Sequence, residues 1–241
     1  MRTLAFGDLA AGVWGAAWVA GEGAAPFVCL GAPEALTVPS AQLDGAGSDA
    51  EWRLVADGTS LTVSPVGEAV AVVDADGETA GFEQLCRVEG RFSLDGTEHE
   101  ARCLARRGER TGSVDGLDSV RDVSALFEPD DAMALVSLRP RKRRGHDRDA
   151  VTAAVLDAEA SAPVADPRFS TTYGTEGRPI RSSFELWLGE AENEYPRRAA
   201  GEALGPYASG VDGGLAVEAS LFRWGSRGRE GVGVYIVARP A

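Results

Sequence analysis

Imidazole chemistry in this chain has only two carriers, because His99 and His146 are its sole histidines. His146 sits in Gly145-His146-Asp147, a spacing that sets a carboxylate beside the ring. His99 stands between Glu98 and Glu100, and its parity puts it on the mostly apolar side of a strand, where a half-buried structural role is the simpler reading. Arg139-Pro140-Arg141-Lys142-Arg143-Arg144 is a basic run against an acidic background. Arginine forks grip phosphate or carboxylate bidentately, although a solvated loop balanced by Asp147 and Asp149 is the simpler reading of the run. The tryptophans offer a different kind of site. Trp14, Trp18, Trp187 and Trp224 are candidate ligand-binding residues, since indoles line apolar cavities in β-barrels and orient a guest through their N–H; filling a core is the plainer use. Gly-x-Ser-x-Gly, P-loop and dinucleotide fingerprints are missing, and no Cys/His spacing suits zinc, so neither a cofactor nor a metal is expected.

The elements that must position such residues read as strands. Period-2 alternation dominates, broken at short intervals by 30 glycines and 12 prolines that serve as turn punctuation. The clearest unit runs from Phe82 to Arg106. Cys86, Val88, Phe92 and Leu94 alternate with charged neighbours, and Asp95-Gly96 supplies a type I′ turn. Thr97 then falls opposite Leu94, Cys103 opposite Val88 and Ala105 opposite Cys86. Cys86 and Cys103 are diagonal neighbours in that register, so with Cys29 all three thiols are expected to be free.

Leu4 and Phe6 lead to a turn at Gly7-Asp8 and a return strand carrying Trp14 and Trp18; Asp8 makes this a poor secretory signal. Further strands are expected over 61–64, 69–74, 120–127, 133–139, 151–157 and 180–188. A closing hairpin joins 215–224 to 232–238 through residues 225–229, and a turn is expected at Asp76-Gly77. Residues 151–160 also suit a helix by alanine content. Together these predict an all-β protein of two antiparallel barrel or sandwich domains, 1–110 and 111–241, divided near the turn-rich stretch 108–118.

Composition narrows the partners. Twenty-four basic against 37 acidic side chains leave a net charge of −13, which repels nucleic acid and anionic lipid. The uncharged stretch Leu9–Gly21 is too short to span a bilayer, so a cytoplasmic protein with reduced thiols is expected.

Several segments carry a family resemblance: Leu4 to Leu9 followed by Trp14-Gly15-Ala16-Ala17-Trp18, Val88 to Gly96, Gly145-His146-Asp147, Phe184-Glu185-Leu186-Trp187, Phe222-Arg223-Trp224 and Gly228 to Gly233. The chain resembles actinobacterial-type members of the hydroxyneurosporene synthase (carotenoid hydratase)/AttH-like superfamily. That resemblance implies two lipocalin-like β domains packed together, in a superfamily whose members act on long apolar molecules. Where such relatives often carry Gly-x-Arg-x-His-x-Trp-Gly, this chain has Arg106-Arg107-Gly108-Glu109-Arg110-Thr111-Gly112, with Glu109 in place of histidine and Thr111 in place of tryptophan.

Three functions follow. The first is a lipocalin-like protein that binds an apolar small molecule (lipid, isoprenoid or polyketide-like) in a barrel or interdomain cleft. The second is a hydratase or cyclase in which Glu109, Asp118, Asp122 or His146 protonates an alkene or positions water, which requires a carboxyl raised by burial. The third is an assembly protein with no small-molecule ligand.

Overall fold

The alternation of the first half becomes ten strands: β1 (Arg2–Asp8), β2 (Val13–Val19), β3 (Phe27–Gly31), β4 (Ala35–Thr37), β5 (Gln42–Asp44), β6 (Trp52–Ala56), β7 (Thr59–Pro65), β8 (Val70–Val73), β9 (Thr79–Leu94) and β10 (Thr97–Arg110). Nine more follow: β11 (Leu117–Phe127), β12 (Asp131–Pro140), β13 (Ala150–Asp157), β14 (Ala162–Pro163), β15 (Asp166–Tyr173), β16 (Pro179–Trp187), β17 (Arg197–Asp212), β18 (Leu215–Ser226) and β19 (Arg229–Pro240). The computed structural model describes residues 1–21, 23–32, 34–73, 78–141, 149–189 and 195–241, and no helix occurs among them. The protein is all-β, and among the described residues no helix is long and apolar enough to cross a membrane.

The β9–β10 hairpin has the register its alternation dictates, with Cys103 opposite Val88 and Ala105 opposite Cys86. Asp95 and Gly96 both adopt positive φ, 49° and 78°, as the type I′ turn demands. All three cysteines are buried and free, and burial pushes each thiol up to about 12. Residues 151–157 form strand β13, not a helix: both edges of that segment pair, with β12 and β14. The first turn falls at residues 9–12, because Gly7 and Asp8 still pair with Trp14 and Val13. The closing hairpin also tightens to a two-residue turn, with Arg227 and Gly228 at φ 49° and 77°. The Asp76-Gly77 turn lies outside the described residues.

Each sheet curls into a lipocalin-like half-barrel, and the two share one strand order. The first runs β4-β3-β2-β1-β10-β9-β7-β6-β5, with β8 pairing beside it on β9; the second runs β14-β13-β12-β11-β19-β18-β17-β16-β15. In both, four strands meander outward and the last strand returns to pair with the first.

Alternation then sorts side chains into three cores. Leu4, Phe6, Trp52, Val88 and Phe92 fill the first half-barrel, and Phe127, Leu135, Phe184, Phe222 and Trp224 fill the second. The third core lies between the halves, joining Ala5, Trp14, Trp18, Leu85 and Leu104 to Val120, Ala134, Val217, Val234 and Ile236. Burying each such large side chain contributes about 1.5–3 kcal/mol. Gly31 is required beside Trp14, because a Cβ there would sit 2.1 Å from the indole Nε1.

Candidate functional site

On β10, Glu98, Glu100 and Arg102 face solvent, and strand periodicity carries that polar face on to Arg106 and Arg110. The second half packs over this end of the strand, so the charges there are enclosed. Arg106 Nε donates to Glu83 Oε2, and its Nη1 donates to Asp122 Oδ1 at 2.5 Å and to Thr3 Oγ1 at 3.0 Å. Arg110 Nη2 donates to the other oxygen of Glu83, and Arg110 Nη1 to the Phe82 carbonyl at 3.1 Å. Glu83, Arg106 and Asp122 are at most 1% exposed at the side chain and Arg110 is 8% exposed. Two cations and two anions thus form a neutral buried cluster that bridges the halves.

The two carboxylates respond differently. Burial alone raises Glu83, but Arg106 and Arg110 on either side outweigh it and hold the group below the usual carboxylate range. Asp122 has only one direct guanidinium partner; burial dominates, the Glu83 charge adds to it, and the group is raised. Asp122 Oδ2 and Arg106 Nη2 are buried without a hydrogen-bond partner. Gly108 makes the cluster possible, because a Cβ there would lie 2.7 Å from Glu83 Oε2 and 2.9 Å from Arg106 Nη2.

Arg110 connects this cluster to a cleft between the halves. Its Nη2 reaches Thr152 Oγ1 on β13 at 3.4 Å. The cleft, about 490 Å³, opens above that contact between Val72, Val73 and Ala80 of the first half and Leu138, Ala150 and Val151 of the second, with Arg110, Thr111 and Thr152 as its polar edge. Its lining is mainly aliphatic, and its size falls within the range of small-molecule sites.

The four acid–base candidates are not gathered in one place. Asp122 lies in the ionic cluster. Glu109 turns to the opposite face of β10, where Oε2 accepts from the Gly47 amide at 2.8 Å. Asp118 is exposed at the start of β11. His146 lies outside the described residues, as does half of the 139–144 run, residues 142–144. The tryptophans also separate. Trp14 and Trp18 are fully buried between the halves, and Trp224 packs in the second core with ring centroids 4.7 Å from Phe184 and 5.8 Å from Phe222. Trp187 is partly exposed and its Nε1 donates to Glu185 at 3.0 Å. None of the four is among the lining residues of the cleft. His99 stacks on Phe92 at 5.4 Å. No three potential metal ligands converge among the described residues.

Sequence reasoning passed over Glu83, Arg106 and Arg110. Arg106 and Arg110 lie in the very stretch where the family resemblance breaks. The available signal was the density of charge in residues 106–110 on a strand whose flanking residues are apolar.

No family model matches this sequence, and no curated protein sequence matches it. Solved structures do. An AttH protein (NE1406) from Nitrosomonas europaea superposes with TM-score 0.60 at 10% identity, over 99% of this chain and 91% of that one. CghA in complex with Sch210972 gives TM-score 0.60 at 13% identity, over 100% of this chain and 88% of that one. A second CghA structure gives 0.56 at 13% identity, over 99% and 87% of the two chains. At such identities the likeness is one of fold: an AttH-like pair of lipocalin-like half-barrels.

Proposed function

We propose that this protein binds an apolar small molecule, of lipid, isoprenoid or polyketide-like character, in the cleft between its halves. The observation that carries this reading is the aliphatic cleft of about 490 Å³ with Arg110 and Thr152 at its edge. Such a site removes apolar surface from water while a few polar groups orient the guest. The likeness to CghA, whose solved complex contains Sch210972, supports a fold able to hold a small molecule. The test is fluorescence of N-phenyl-1-naphthylamine titrated with the protein. Emission is expected to rise with the wild type and to be lost in Leu138→Gln, which places an amide in the aliphatic wall. A wild type without effect, or a variant that performs equally, overturns the reading.

Asp122 favours a second reading, the hydratase or cyclase. Its buried carboxyl holds its proton to higher pH than usual and keeps one oxygen free. In this chemistry the acid transfers that proton to an alkene carbon. Water then adds to the resulting cation and returns a proton to the carboxylate. Incubating the protein with isoprenoid alkenes and looking by mass spectrometry for the gain of one water tests it. Product that persists in Asp122→Asn removes Asp122 from the role, and no product with any alkene removes the reading.

A further inference from the structure

The two half-barrels end alike in topology and unlike in chemistry. Where β1 begins and β10 finishes, three charged side chains point to the inner face, and all are taken up by the chain itself. Arg2 donates to the carbonyls of Leu43, at 3.2 Å, and Gly45. Arg107 donates to the carbonyls of Ala50 and Ser48, both at 2.6 Å, and lies 5.0 Å over the Trp52 ring. Glu109 accepts from Gly47. Residues 45–50 therefore form a plug over the first mouth.

At the matching end of the second half, where β11 begins and β19 finishes, the described residues leave a pocket at the mouth. Arg121, Arg139 and Arg239 line a pocket of about 580 Å³. Arg121 and Arg139 share Asp149, which accepts from Arg139 Nε at 2.8 Å. Asp118 stands exposed on the rim. Arg239 has no ion-pair or hydrogen-bond partner among the described residues. Among the described residues, three guanidiniums thus meet two carboxylates, an excess of one positive charge in a protein of net charge −13. Tyr173 also lines the pocket, with its hydroxyl 3.4 Å from that of Tyr235, while Val237 and Pro240 give the wall an apolar part.

We propose that this second mouth is a binding site for a small organic carboxylate, separate from the interdomain cleft. A single excess positive charge matches a monoanion, and the unpaired fork of Arg239 presents the bidentate geometry that a carboxylate takes. The adjacent Val237, Pro240 and Tyr173 accept a short apolar or aromatic body.

Dansylglycine and dansylamide, which differ by the carboxylate-bearing arm, are the probes. Titrated with the whole protein, dansylglycine is expected to bind about tenfold more tightly than dansylamide, the factor that one charge-assisted fork contributes. Arg239→Gln removes the fork from an exposed, unpartnered position and leaves folding intact by circular dichroism; it is expected to erase that preference. Leu138→Gln, in the interdomain cleft, is expected to leave dansylglycine binding unchanged. No binding of dansylglycine, equal binding of the two probes, or a preference that survives Arg239→Gln overturns the proposal.

Discussion

Across β1–β10 Ala5 faces Arg106, whereas across the strand-matched pair β11–β19 Asp122 faces Ile236. The same place in a shared topology therefore carries its charge on opposite members of the pair, and the two flanks of the interface differ accordingly. On one flank Trp14, Ala16 and Trp18 of β2 lie in the same apolar core as Val217, Ala219 and Val234 of β18 and β19. On the other, Glu83, Arg106, Arg110 and Asp122 hold each other. Dehydrating four charges costs about as much as their mutual attraction returns, while buried indoles are cohesive outright. The comparison assigns adhesion to the tryptophan flank and relative orientation to the ionic one.

The largest expected effect breaks the apolar flank. Trp14→Ala or Trp18→Ala is expected to lower stability by about 3–5 kcal/mol, read as the shift in urea midpoint; a loss below about 1 kcal/mol would show that the indoles are not what joins the halves. Next comes the ionic flank. Arg106→Met alone strands two carboxylates on a single remaining guanidinium and is expected to cost about 3 kcal/mol. Adding Asp122→Leu leaves the neutral Glu83–Arg110 pair and is expected to bring stability back to within about 1 kcal/mol of wild type. Equal losses in the single and double variants would mean that the charges are not coupled.

The smallest effect lies in pH dependence. Glu83 is depressed by folding, so its stabilising contribution is present above its unfolded pKa of about 4 and fades as the pH falls through the lower folded value. Asp122 is raised, and its contribution has the reverse sense: it costs nothing in acid and begins to cost as the pH climbs past its unfolded value. Urea midpoints from pH 7 down to about 3 are therefore expected to fall less steeply for Glu83→Gln than for wild type, and to fall at least as steeply for Asp122→Asn. The opposite ranking would exchange the roles of the two acids.

What could be read from the chain follows from how its strands are covered. The β9–β10 register was legible because apolar and charged residues alternate cleanly there and Asp95-Gly96 fixes the turn. Strand β17 was not, because Gly201, Gly205, Pro206 and Gly210 interrupt its pattern and its pairing shifts between Ala203 and Tyr207. Trp14 and Trp18 were recognisable as large anchors, yet β2 is buried along both faces, so alternation could not say which core they enter. The ionic cluster was hidden for the converse reason. Parity places Arg106 on a polar face, and only the arrival of β11 from the other half turns that face inward. The shared strand order escaped notice because it is preserved in pairing and not in residue spacing.

The three cysteines give this architecture a built-in clock. Their thiols are sealed from solvent and pushed up to about 12, so alkylating reagents meet them only when some part of the protein opens. Cys29 lies in the layer between the halves, while Cys86 and Cys103 lie inside the first half-barrel. Separation of intact halves would expose the first and spare the other two, whereas unravelling of the first half would release all three together. The order in which the sulfurs react thus distinguishes undocking from melting without any added label.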